Sequence, residues 1–195
     1  MSGLLPPVPP NKTRVKGGNK LRTIDLSLAV VFTSLYAILV VALAPISFGP
    51  VQLRVADCLI PLATLFGWPV IAGVTVGCFV GNAYFWLGPQ DVILGPIANL
   101  IAATLIFMLR KRQLLACVAG SLPIGIIVGS YLWLFFPPPE IFGLSLPIWS
   151  AMIVSITISS LLALAVIGYA LLKALSNPNV VNPLRSRGLK VYVDD

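Results

Sequence analysis

Six apolar runs set the pattern of this chain: residues 26–44, 58–67, 69–86, 92–109, 114–136 and 148–172. A hydrocarbon core of about 30 Å takes roughly 20 helical residues. Four runs meet or nearly meet that length (26–44, 92–109, 114–136 and 148–172), and 69–86 is slightly short but apolar throughout. Run 58–67 is too short alone. It crosses a membrane only if its helix starts back near Val51, which puts Arg54 and Asp57 in its outer turns. Pro61 then lies inside it, where a kink or interruption is expected. The expected inner connection to the next run is only Gly67-Trp68-Pro69.

The basic residues arbitrate the topology of that second run. With six crossings, one side collects 12 of the Lys and Arg residues and Arg54 stands by itself on the other; with a re-entrant second run the split becomes 5 against 8, the larger share outside. The positive-inside rule selects six crossings with cytoplasmic ends. The expected fold is an all-α integral membrane protein, a compact bundle of six transmembrane helices. Residues 1–24 are expected to form a basic, disordered cytoplasmic arm that can touch anionic lipid, 25–172 the membrane domain, and 173–195 a cytoplasmic tail. No signal-peptide cleavage site is apparent after the basic, Pro-rich start.

Composition narrows the function classes. Of 195 residues 58% are hydrophobic and 10% charged, whereas soluble domains carry about a quarter charged residues, so a soluble enzyme is excluded. The chain has no His, which removes imidazole ligands, the commonest general base and Ser-His or Cys-His nucleophile pairs. The net charge of +7 sits at the chain ends and in one short loop, a membrane pattern rather than a nucleic-acid one. Cys58, Cys78 and Cys117 are far apart in apolar surroundings and read as packed thiols, with no metal site expected.

Polar groups in or near hydrocarbon demand a reason. Arg54 and Asp57 are three apart, which fits either an ion pair at the outer rim or the lining of a cavity open to the outside. Asp91 opens an apolar helix and is placed to cap it, a role that leaves it free to face a ligand. Glu140 follows Pro137-Pro138-Pro139 in a stiff outer loop, as a solvated charge or a ligand contact. Asn82 and Asn99 are amides inside apolar runs, either interhelical glue or ligand contacts. The Ser and Thr residues within runs read as packing groups. Trp86, Trp133 and Trp149 fall at the outer boundary as an aromatic belt, with stacking on a planar ligand as the sharper alternative. Ala29, Thr33 and Ala37 make a smooth stripe on the first helix, for packing inside the chain or for docking a separate membrane subunit. No internal repeat is evident. With no paired carboxylates within a span, an intramembrane enzyme is not expected.

Three segments together resemble the QueT family, substrate-binding (S) components of energy-coupling factor transporters assigned to queuosine precursors. Phe48-Gly49-Pro50-Val51-Gln52-Leu53-Arg54-Val55-Ala56-Asp57 is similar to the family's outer loop and short second helix, with Asp57 where Glu is typical. Gly73 to Asn82 resembles its Gly-rich third helix, and Asp91-Val92-Ile93-Leu94-Gly95 its opening of helix four. The resemblance covers about residues 25–172. It implies residence in the cell membrane of a prokaryote and a transmembrane coupling protein bound to two ATPases, docked on Ala29, Thr33 and Ala37. This chain has no G-x-x-x-x-G-K-[ST] loop, so it would carry no cofactor and ATP would be hydrolysed by the partners. The implied substrate is a planar 7-deazapurine with an amino-pyrimidinone edge, in one form an aminomethyl cation and in another a neutral nitrile. Arg54, Asp57, Asn82, Trp86, Asp91, Asn99 and Glu140 would bind it.

Two alternatives stay open. The same scaffold serves an S-component for another vitamin-like metabolite, since fold does not determine ligand. A non-transporting membrane scaffold or assembly subunit would need no outer cavity, so alanine at Arg54 and Asp57 would leave its activity intact.

Overall fold

The computed structural model describes residues 22–47, 53–137 and 147–192. Among these the chain is helical throughout, with no strand. Glu140, the residues 48–52 that begin the first motif, and most of the basic arm lie outside the described residues. The main helices are α1 (Thr23–Ala42), α2 (Val55–Phe66), α3 (Trp68–Phe85), α4 (Pro89–Met108), α5 (Gln113–Leu132), α6 (Ile148–Leu175) and a short α7 (Pro178–Ser186), with single turns at Ala44–Ser47 and Arg110–Arg112.

Five helices (α1, α3, α4, α5 and α6) are long and apolar enough to cross a membrane. The second apolar run, expected as a sixth span, forms the shorter α2. It is a 3-10 helix over Val55–Leu62 that turns α-helical over Ala63–Phe66, and it accommodates Pro61 in the tighter part. A 3-10 turn rises faster than an α turn, so these residues cover about 22 Å rather than the roughly 18 Å of a plain α-helix. Every side chain from Ala56 to Phe66 is buried, so α2 threads the middle of the bundle with no lipid-facing side. Beside it α6 widens into π-helical geometry over Leu162–Gly168, and a methyl on Gly168 would stand 2.8 Å from Pro61 Cγ.

The chain then turns on Gly67, whose φ of 67° is a left-handed conformation that glycine adopts without strain. Trp68 and Pro69, expected in the connecting turn, instead open α3, with Pro in the first turn, so the connection is Gly67 alone.

One end of the bundle is tied together by the C-terminal tail. The Arg22 guanidinium donates to the Gly188 carbonyl (3.0 Å), and the Tyr192 N–H donates to Leu65 O (2.7 Å). The Tyr192 ring meets Phe107 edge-on, and Arg110 and Lys190 lie over it. The start of α1, the end of α2, the end of α4 and the tail therefore share this basic end. α2 brings the chain back to it, and each later long helix runs between this end and the opposite one.

The closest packing joins α1 to α3. Gly73, Gly77 and Gly81 form a stripe on α3, and a methyl at Gly77 would stand 2.8 Å from Thr33 O and 2.7 Å from Tyr36 Cβ. Ala29 is buried in this contact, while Thr33 and Ala37 stay half-buried. Part of the small-residue stripe on α1 thus serves packing inside the chain. The outward faces carry exposed Val30, Ile38, Ile93, Ile126 and Val166, an apolar exterior suited to lipid.

Gly77→Leu is expected to force α1 from α3 and to lower the thermal unfolding midpoint of the detergent-solubilised protein, or to abolish folding. Val76→Leu, on the exposed side of the same helix, is expected to leave it unchanged.

Candidate functional site

The polar side chains of the apolar runs converge in the half of the bundle away from the basic end. Tyr36 lies late in α1, Asp57 opens α2, Asn82 is near the end of α3, Asp91 is in the first turn of α4, and Tyr131 is near the end of α5. The side chains are sequestered: Asp57 is 2% exposed, and Asp91 and Asn82 are 0%.

Asp91 does not cap its helix. Gly88 occupies the N-cap position, and the Asp91 carboxylate turns inward. Its Oδ1 accepts from the Tyr131 hydroxyl at 2.9 Å and stands 3.9 Å from Arg54 Nη2. The Asn82 amide donates to the Asp91 backbone carbonyl at 2.8 Å and ties α3 to α4. Gly95 leaves the room for this, since a methyl there would stand 2.5 Å from Asn82 Nδ2.

Asp57 is held by a relay. Asn99 Nδ2 donates to the Tyr36 hydroxyl oxygen at 2.8 Å, and that hydroxyl donates to Asp57 Oδ1 at 2.5 Å. Arg54 Nη1 also lies 3.5 Å from Cys78 Sγ, so this thiol meets a cation besides packing. Cys58 and Cys117 are buried free thiols.

Arg54 and Asp57 line one cavity with Ser47, Ile124, Val128, Ile156 and Ser160. Its volume of about 20 Å³ is room for about one or two water molecules. Ser47 Oγ, Asn82 Oδ1 and Asp91 Oδ2 are buried with no hydrogen-bond partner among the described residues.

Arg54, Asp57, Asn82, Asp91 and Asn99 are thus brought into one cluster. Trp86 is not: it ends α3 with φ 29° and is 63% exposed, on the outside of the bundle. Trp133 and Trp149 are exposed as well, as belt residues would be. The sequence reading passed over Tyr36, Tyr131 and Ser47. The signal for the two tyrosines was present, because a phenol hydroxyl inside an apolar helix needs a partner.

Comparison with known proteins bears on this arrangement. A family model described as QueT transporter matches residues 26–177. This chain belongs to the QueT transporter family. The QueT match runs from within α1 past the end of α6 and takes in every residue of the buried cluster. A relative from Lactococcus lactis subsp. cremoris (strain MG1363), named Queuosine precursor transporter QueT, is 33% identical over 97 residues. That match covers 48% of this chain and 55% of the relative, so it spans about half of each. No solved structure matches the chain. A transporter family and several membrane-capable helices make this a membrane protein.

Tyr131→Phe removes the hydroxyl that Asp91 Oδ1 accepts from and leaves a buried carboxylate short of a donor. It is expected to destabilise the solubilised protein by about 1–3 kcal/mol, read as a lower unfolding midpoint. Tyr169→Phe, away from the cluster on α6, is the control.

Proposed function

We propose that this chain is the substrate-capturing S-component of an energy-coupling factor uptake transporter, and that it binds a 7-deazapurine precursor of queuosine. The observation that carries this reading is the cavity lined by Arg54 and Asp57, backed by Asp91 and Asn82, inside an otherwise apolar bundle. A deazapurine edge offers amino and ring N–H donors and a carbonyl acceptor. Asp57 supplies the acceptor side and Arg54 the donor side. Asp91 Oδ2 and Asn82 Oδ1 are further acceptors one layer behind. Ile124, Val128 and Ile156 form the apolar walls that would flank the ring. Because the cavity now has room only for water, ligand entry requires these walls to part, and binding and opening are coupled.

The chain crosses the membrane six times in this reading, with α2 as the short buried crossing and both ends in the cytoplasm of a prokaryote. The basic end then faces the positive-inside side and the cavity lies in the outer half. Asp91, Asn82 and Asn99 take part as ligand contacts or as supports for Asp57 and Arg54. A transmembrane coupling protein with two ATPases supplies the energy and docks on α1 through Thr33 and Ala37 beside Ala29. Membrane lipid surrounds the rest.

Purified protein is expected to show a raised unfolding midpoint with 7-deazapurines and none with guanine or vitamins. A ligand at a hundred times its dissociation constant stabilises by about 2.7 kcal/mol. Arg54→Ala is expected to lose the shift. A shift with a vitamin alone would move the chain to another S-component class, and no shift with any compound would favour the scaffold reading.

Thr33→Trp and Ala37→Trp place bulk on the half-buried part of the α1 stripe. They are expected to leave deazapurine binding intact while reducing cellular uptake at least about tenfold, as a docking surface requires. Uptake at the wild-type rate would remove α1 as the docking face.

A further inference from the structure

α2 is held at both ends, and the two holds lie in opposite halves of the bundle. At its start Asp57 Oδ1 accepts from the Tyr36 hydroxyl, and at its end Leu65 O accepts from the Tyr192 N–H at 2.7 Å. That carbonyl belongs to the last turn, where a helix offers no internal donor. The tail is built to reach it. Beyond α7 the chain turns on Gly188, at a left-handed φ of 86°, with the Gly188 N–H donating to Arg185 O and the Leu189 N–H to Leu184 O. This paired closure is a Schellman motif, and it aims residues 189–192 back across the end of the bundle. Arg22 donates to the Gly188 carbonyl, Val181 is buried, and Leu184 and Val191 pack against the core. The Tyr192 ring then fills the space that Gly67 leaves open. A methyl on Gly67 would stand 2.9 Å from Tyr192 Cε2, and Phe107 meets the same ring edge-on. Between the two holds, Val55–Leu62 keeps 3-10 geometry over 8 residues, whereas such runs seldom exceed about three or four. Pro61 favours this locally, because in an α-helix its ring would crowd the Asp57 carbonyl.

We propose that the C-terminal tail is a clamp that keeps α2 at full stretch, and that Tyr192 is thereby a positioning residue for Asp57 at the far end of the helix. An α-helical form of Val55–Leu62 would be about 4 Å shorter, so it could not keep Tyr36 at one end and the tail at the other. With the tail undocked, the stretched turns relax and the segment around Asp57 loosens. The inference concerns the placement of Asp57 and is independent of which ligand the cavity takes. A purely local role would leave the same contacts in place, with the tail covering the basic end and the other half of α2 indifferent to it; the test separates the two.

The chain carries its own reporters. Cys58 sits beside Asp57 in α2, and Cys117 lies in the second turn of α5, in the half of the bundle that the tail covers; both are buried free thiols. A buried thiol reacts when the structure around it opens. Alkylation of the full chain in detergent with N-ethylmaleimide, read at each cysteine by mass spectrometry, compares wild type with Tyr192→Ala, which removes the ring from Gly67 and Phe107. Cys58 is expected to react at least about fivefold faster in this variant, with Cys117 within about twofold of its wild-type rate. Gly188→Val adds bulk where nothing lies within 4 Å and disfavours the left-handed turn. It is expected to act in the same direction, and it decides the matter alone if Tyr192→Ala fails to fold. Tyr192→Phe, which keeps the ring and the N–H, is expected to react as wild type. An unchanged Cys58, or acceleration at Cys117 alone, leaves the tail with a local role and overturns the proposal. Equal acceleration of both thiols is a general loosening of the bundle and overturns it as well.

Discussion

Burying Arg54, Asp57 and Asp91 inside an apolar bundle is the constraint on which the rest of this structure depends. Ions in hydrocarbon are tolerated when they are paired and when their remaining lone pairs and protons are satisfied. Five helices contribute to meeting that demand. α1 sends Tyr36, α2 carries Asp57, α3 sends Asn82 and Cys78, α4 supplies Asp91 and Asn99, and α5 sends Tyr131. The cluster is the polar counterpart of the apolar core, and it ties together helices whose outer faces have no preference for one another over lipid.

The unusual form of α2 follows from the same demand. A plain α-helix of its length would be short for its path, whereas a 3-10 helix advances about 2.0 Å per residue. It carries Asp57 from the cavity at one end of the bundle to Leu65 beside Tyr192 at the other. Having no lipid-facing side, α2 can hold a carboxyl group at its start. The neighbouring helices fit around it: α6 loosens into π geometry and presents Gly168 to the Pro61 ring. On the other side α1 and α3 close tightly through the Gly73, Gly77 and Gly81 stripe, which brings the Tyr36 hydroxyl within reach of Asp57.

This division of labour suits a transporter. Membership in the QueT transporter family agrees with it. The cavity is small and is lined by Arg54, Asp57 and two serines on one side and by Ile124, Val128 and Ile156 on the other. The basic end and its tail, held by Arg22, Arg110 and Tyr192, stand apart from the cluster. The polar cluster and the basic end thus occupy opposite halves of the bundle.

The helical class, the membrane setting, the five long helices and the need of Arg54, Asp57, Asn82, Asp91 and Asn99 for a reason to sit in apolar runs were legible in the chain itself. Hydropathy is a local property that accumulates residue by residue, and a charge or amide in an apolar run is conspicuous wherever it falls. Other features required the fold. Asp91 reads as a helix cap until its neighbours show that Tyr131 and Arg54 draw it inward. Tyr36 and Tyr131 read as aromatic filler until their hydroxyls are seen to meet carboxylates 21 and 40 residues away. Trp86 reads as a belt residue or a stacking one until its place on the outer surface is known, and Ala29 reads as internal packing or docking surface until α3 covers it. Sequence determines which groups must be buried or solvated. Only the tertiary structure decides which partners meet them, because a hydrogen bond or an ion pair forms over about 3 Å of space and is indifferent to separation along the chain.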